Sequence, residues 1–173
     1  MNKKWVMINL LIRKSGISRA EYLRKHKIFY SIGEHCYYHP INIPSEPYLV
    51  NIHNNVVIAG GVELITHDVI DYMINYKETK GEKVEQHIGR IEIMDNVFIG
   101  KNSIINSNIK VGANSIIAAG SVVISDVPDN TIVGGNPAKV IGKTSELIKK
   151  RKYEKGPFKS DGKKEIIRSY WGK

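Results

Sequence analysis

Six histidines, one cysteine and a scatter of carboxylates and tyrosines are the groups in this 173-residue chain that can do chemistry. His67 stands out by position. It ends a largely apolar run, precedes Asp68, and sits where a regular pattern gives way to a polar stretch. An imidazole with a pKa near neutrality can take the proton of a hydroxyl as a new bond forms, an effect worth roughly 10²–10⁴-fold. The other ring nitrogen must then be held by an acceptor that fixes the tautomer. Asp68 is adjacent, but neighbours on an extended chain point apart, so Glu63 or a backbone carbonyl is as good a candidate. The residues alone leave a second reading open, a corner histidine that only bonds backbone. Cys36 is a weak candidate for a covalent carrier, because no histidine dyad is recognisable around it. A catalytic zinc needs three converging ligands. His35 and His39 are close in sequence, but no other pair near His67 has ligand-like spacing.

The elements that must position His67 follow from a six-residue period. Residues 93–128 read IMDNVF, IGKNSI, INSNIK, VGANSI, IAAGSV, VISDVP. Ile93, Ile99, Ile105, Val111, Ile117 and Val123 open the blocks. An amphipathic helix would space apolar residues by three to four and a simple strand by two. A strict period of six is the pattern of a parallel β-helix. The opening aliphatic points inward, and Gly100, Asn106, Gly112 and Ala118 are expected at the corners. One coil cannot bury its own apolar face, so stacked coils share a core. The same rhythm recurs at Ile52, Ile58 and Leu64.

The hexads, with AAGSVVISDVPDNTIVGGNPAKVIGK over 118–143, resemble the hexapeptide-repeat acyltransferases with a left-handed β-helix. The likeness covers roughly residues 28–143 and is nearest to maltose/galactoside, capsular-polysaccharide and xenobiotic O-acetyltransferases. It implies an all-β solenoid, a left-handed parallel β-helix, that works as a homotrimer with acetyl-CoA as donor and active sites between subunits. The handedness comes from the resemblance, since the usual crossover rule favours the other hand. In such enzymes a histidine just before an inserted loop is the catalytic base, and Thr66-His67-Asp68 matches that string. Transfer there is direct, in a ternary complex, and needs no metal. The positions matching donor contacts are Lys101 and Ala119, through backbone N–H, and Ile124 and Ser125 near the adenosine. The family often has Thr-Lys at the last two, so Lys139 and Lys143 are candidates to replace that charge. For the acceptor, His39 and the tyrosines Tyr37, Tyr38, Tyr72 and Tyr76 are candidates, with loop packing as the alternative for the tyrosines.

Three segments follow. Residues 1–27 read as a helical cap on the solenoid, with Ser18-Arg-Ala-Glu21 as a capping box. Residues 28–143 form the β-helix, irregular where Pro40, Pro44 and Pro47 exclude a regular helix, with a polar loop inserted at 69–87. Residues 144–173 hold a short helix starting at Thr144-Ser145-Glu146 and a basic tail.

Composition narrows the class. The formal net charge is +9 with 25% charged residues. No nucleic-acid recognition motif accompanies that charge, and coenzyme A phosphates, an anionic glycan or a membrane surface fit it equally. The apolar stretch from Trp5 to Ile12 is too short to span a bilayer, no cleavage site follows it, and the single cysteine excludes an internal disulfide. A cytoplasmic location is expected. The leading reading is transfer of acetyl from acetyl-CoA to a sugar or glycan hydroxyl, in a pathway such as polysaccharide biosynthesis. The alternatives are an antibiotic-type xenobiotic O-acetyltransferase, a zinc enzyme of the carbonic-anhydrase type, and a non-catalytic solenoid scaffold.

Overall fold

The computed structural model describes residues 2–77, 81–157 and 159–172. Two helices open the chain, α1 (Lys3–Ile12) and α2 (Gly16–Lys25). Twelve short strands follow: β1 (Ser31–Ile32), β2 (Tyr37–Tyr38), β3 (Val50–Ile52), β4 (Val57–Ile58), β5 (Glu63–Leu64), β6 (Ile91–Ile93), β7 (Phe98–Ile99), β8 (Ile104–Ile105), β9 (Ile109–Val111), β10 (Ile116–Ile117), β11 (Val122–Val123) and β12 (Thr131–Gly134). They stack into three sheets. One runs β1-β3-β6-β9, a second runs β2-β4-β7-β10-β12, and a third runs β5-β8-β11. Every pairing among these strands is parallel. From β3 to β11 successive strands visit the three sheets in turn, so the chain is a three-faced solenoid.

The hexad aliphatics are its axis. Ile93, Ile99, Ile105, Val111, Ile117 and Val123 are all buried, as are Ile52, Ile58 and Leu64 of the earlier coils. Each isoleucine withdrawn from water contributes about 1.5–3 kcal/mol. The corners lie two residues later than expected. The left-handed residue comes three after Ile93, Ile99, Ile105, Val111 and Ile117, at Asn96, Asn102, Asn108, Asn114 and Gly120. Most L-residues lose about 1–2 kcal/mol in that conformation, and asparagine and glycine tolerate it. Asparagine adds a second device. Asn55 donates to Asn96 (2.8 Å), Asn96 to Asn114 (2.9 Å) and Asn114 to Asn130 (3.1 Å), a ladder down one edge. Gly100 and Gly112 are small for another reason, the passage of the next coil. A Cβ on Gly100 would sit 2.5 Å from the Ala119 nitrogen, and one on Gly112 2.6 Å from that of Asp129.

The helices close the first coil. Val6, Leu10, Ala20, Tyr22 and Leu23 join the same core as Ile32, Cys36 and Tyr38. Buried Arg19 ties them to the solenoid, donating to the carbonyls of Leu10 (2.8 Å), Arg13 (3.1 Å) and His39. The capping box expected at Ser18 is displaced by one turn. Ser15 is the N-cap, accepting from the Ser18 amide at 3.1 Å, and Ser18 lies inside α2. Glu21 is therefore too far along to reach the cap.

At the other end, Gly135 to Ala138 turn the chain from β12 into β13 (Lys139–Lys143), which returns antiparallel. Two further helices follow, α4 (Thr144–Lys152) and α5 (Lys163–Trp171); to keep chain order, the helix inside the insertion is α3 (Ile70–Lys77). The expected polar loop thus contains a helix, because Asp68 accepts from the Ile70 amide (3.0 Å) and starts a turn there. The neck of the insertion is tied. His67 and Ile88 form an antiparallel bridge, the Gly89 amide donates to the Thr66 carbonyl (2.8 Å), and Gln86 Nε2 donates to that of Asp68 (3.0 Å). Residues 78–80 of the expected loop lie outside the described residues. No helix among the described residues is long and apolar enough to cross a membrane.

Candidate active site

His67 stands three residues past β5, where the coil leaves the third sheet and enters the neck of the insertion. Its Nδ1 lies 2.8 Å from Glu46 Oε2. The same oxygen accepts the Thr66 hydroxyl at 2.6 Å, and the Glu46 amide donates back to Thr66 Oγ1 at 3.3 Å. Thr66 is buried, while His67 and Glu46 are partly open, with side chains 27% and 21% exposed. Burial alone would raise the Glu46 carboxyl. The Thr66 hydroxyl and the His67 imidazole outweigh it and hold that carboxyl below its ordinary range. With Nδ1 facing a carboxylate, Nε2 is the nitrogen left to accept a proton. It bonds no described residue.

The carboxylate that meets His67 Nδ1 is thus Glu46, while Asp68 and Glu63 bond elsewhere. Asp68 spends its carboxylate on the start of α3, and Glu63 accepts from Asn42 Nδ2 at 3.3 Å. Glu46 went unnoticed in the sequence because it sits among the prolines that interrupt the coil pattern. Its signal was being the one carboxylate between Pro44 and Pro47.

Two hollows share Glu63 in their linings, and one of them includes His67. One of about 260 Å³ is lined by Thr66, His67, Glu63 and Lys3, with Pro44 and Ser45. A second of about 520 Å³ is lined by His39, Asn42, Gly60, Gly61, Glu63 and Lys101. Glu63 lines both, one on the His39 side and the other on the His67 side. Lys3 comes from α1 and gave no sequence signal.

The expected donor positions fall on both sides of the third sheet. Two residues past β4, β7 and β10, the register aligns Gly60, Lys101 and Ala119 in a column. The amides of Lys101 and Ala119 donate to no described residue, and a Cβ added at neighbouring Gly120 would meet open space. The corner is open beside Gly120. Past β5, β8 and β11, the register aligns Ile65 with Ile124, and Thr66 with Ser125. Two coils separate them, about 10 Å at the spacing of parallel strands. Ile124 is exposed. Ser125 and Lys139 line one small hollow of about 170 Å³. Lys143 does not join them, lying further along β13 opposite Thr131.

The acceptor candidates separate. His39 lines the larger hollow, stacked on Tyr37 with ring centroids 5.9 Å apart. Tyr38 is not available to a substrate. It holds an inward coil position at 2% exposure, and its hydroxyl donates to the Asn42 carbonyl at 2.6 Å. Tyr72 stands on α3, 78% exposed. Cys36 is buried, which pushes its thiol up and away from thiolate chemistry. His35 lines a different hollow from His39, and no three His, Cys, Asp or Glu side chains gather among the described residues.

The chain thus combines a coiled repeat with a histidine–carboxylate pair at the neck of an insertion. Residues 90–125 match the family described as "Bacterial transferase hexapeptide (six repeats)". The chain is 42% identical over 118 residues to Protein CapG of Staphylococcus aureus, covering 66% of each. It is similar in structure to a maltose O-acetyltransferase from Clostridium difficile 630 (TM-score 0.57, 26% identity, 81% of this chain and 83% of that one). A galactoside acetyltransferase in complex with coenzyme A gives a TM-score of 0.61 at 25% identity, over 85% and 81%. The chain spans 49% to 66% of the length of the first curated relatives it matches.

Proposed function

We propose that this protein transfers an acetyl group from acetyl-CoA to a hydroxyl of a sugar or glycan precursor, with His67 as general base. What supports the reading most is the contact between His67 Nδ1 and Glu46 Oε2, which leaves Nε2 unbonded on a residue that lines a hollow. The relatives named for galactoside and maltose acetyl transfer support the acceptor class, and the coenzyme A complex of one supports the donor. The left-handed sense of the coil, a homotrimer with sites between subunits, a cytoplasmic location and a role in polysaccharide biosynthesis belong to the same proposal.

The chemistry asks little of the chain. Nε2 takes the acceptor proton as the hydroxyl oxygen bonds the thioester carbon, and Glu46 stabilises the imidazolium that forms. A backbone N–H on a coil edge serves the oxyanion. The C–S bond then breaks, and the imidazolium returns its proton to the departing thiolate. That thiolate belongs to an acid of pKa about 8.5 and leaves without stronger help. Lys101 and Ala119 offer free amides to the donor's amide arm. Lys139 stands beside Ser125 as a cation for its phosphates.

The test is thiol release from acetyl-CoA with a panel of sugars and an antibiotic panel, comparing wild type with His67→Ala. Sugar-dependent release lost in the variant is expected. Equal rates overturn the catalytic role, and release with antibiotics alone overturns the acceptor class.

A further inference from the structure

The chain's excess charge is concentrated at one end. Residues 144–173 hold ten lysines and arginines against four acidic residues, giving +6 of the formal net +9. The site accounts for none of it. Within this segment α5 reads KKEIIRSYW, with Gly162 as N-cap and left-handed Gly172 ending it. At about 100° per residue, Ile166, Tyr170, Ile167 and Trp171 share an arc of about 140°, interrupted by Lys163 in the first turn. Lys164 and Arg168 lie beside that arc. None of the helix's side chains is buried; Tyr170 is 65% and Trp171 75% exposed. Earlier in the same segment, α4 carries Lys149, Lys150, Arg151 and Lys152 in its last turn, with Ile148 and Tyr153 exposed.

We infer that α5, assisted by the cations of α4, is an interfacial helix that docks the protein on an anionic lipid surface. The combination decides the partner. A second copy of this chain is itself net positive and lacks the charge that ten cations call for. A nucleic acid has the charge but offers no apolar phase to two isoleucines. An anionic bilayer offers both, with headgroup phosphates for the lysines and arginines and an acyl boundary for Ile166 and Ile167. Tyrosine and tryptophan at the end of the helix suit that boundary, each having an apolar body and a polar tip.

The experiment is sedimentation of the full chain with vesicles of phosphatidylcholine alone, or mixed with phosphatidylglycerol. Binding should appear with phosphatidylglycerol, be absent with phosphatidylcholine and fall as salt rises. Removing two cations, Lys164→Gln with Arg168→Gln, should weaken it about 25-fold. Ile167→Ser with Trp171→Ser should abolish it, and acetyl transfer in solution should be unchanged. No phosphatidylglycerol-dependent binding overturns the inference. So does an Ile167→Ser/Trp171→Ser protein that binds vesicles like wild type, as simple polycation adhesion would, or one whose oligomeric mass falls, which makes the face a subunit contact. Tighter binding to duplex DNA than to vesicles, indifferent to the apolar pair, also overturns it. The proposed activity stands or falls separately, on thiol release.

Discussion

Glu46 Oε2 lies 2.8 Å from His67 Nδ1, across 21 residues of sequence. The contact joins an irregular, proline-rich passage to the end of a regular coil. It engages Nδ1 of the imidazole and leaves Nε2 without a partner among the described residues. If this pair is the catalytic machinery, the two substitutions should differ in degree. His67→Ala removes the base and should cost roughly 10²–10⁴-fold in kcat. Glu46→Gln keeps a hydrogen-bond acceptor but removes the charge, and should cost less, about tenfold or more, with KM for acetyl-CoA little changed. Steady-state thiol release measures both. A Glu46→Gln enzyme with wild-type kcat would remove the carboxylate from the mechanism.

Thr66 helps to keep the Glu46 carboxylate ionised. Its hydroxyl is one of the influences that lower the Glu46 carboxyl. A carboxyl lowered on folding contributes stability that is complete above its unfolded pKa, about 4.3 for glutamate, and is lost as pH falls through the folded value. In Thr66→Val one lowering influence is gone, so Glu46 takes its proton at a higher pH. The acid limb of kcat/KM should move upward, and Thr66→Ser should restore it. An unmoved limb in Thr66→Val means that another group controls that side.

Asp68 belongs to the flap. Its carboxylate accepts from the Ile70 amide, so Asp68→Ala should loosen the start of α3 by about 1 kcal/mol while leaving kcat within a few-fold of wild type. Hydrogen exchange over 68–77 should rise. Asp68→Asn, which still accepts, should behave as wild type. A loss of kcat as large as that of His67→Ala would return Asp68 to the catalytic group.

The repeat was legible because its cause is local. Every inward position obeys the same six-residue rule, and Ile93 through Val123 are buried as that rule requires. His67 was legible because the rule fails just after it. Glu46 was not, because its partner is 21 residues away and no periodicity runs through Pro44 and Pro47. Tyr38 misled in the opposite way. It looked like a ligand platform, yet its register with Ile58 puts the ring in an inward coil position. Lys3 reaches the site only because α1 folds back over the first coils, a tertiary fact with no local mark.

The asparagine corners separate two contributions that the sequence merges. Asn96 has φ of 60° and also sits in the ladder, accepting from Asn55 and donating to Asn114. Asn96→Gly keeps the left-handed backbone and loses the ladder bonds, each worth about 0.5–1.5 kcal/mol net at most in this exposed setting. Asn96→Ala loses the same bonds and adds about 1–2 kcal/mol for a left-handed alanine. Thermal melts should therefore order wild type above Asn96→Gly above Asn96→Ala. The gap between the variants measures the backbone term alone. Equal melting temperatures for the two would mean that side-chain stacking, and not the handedness of the corner, is what selects asparagine every sixth residue.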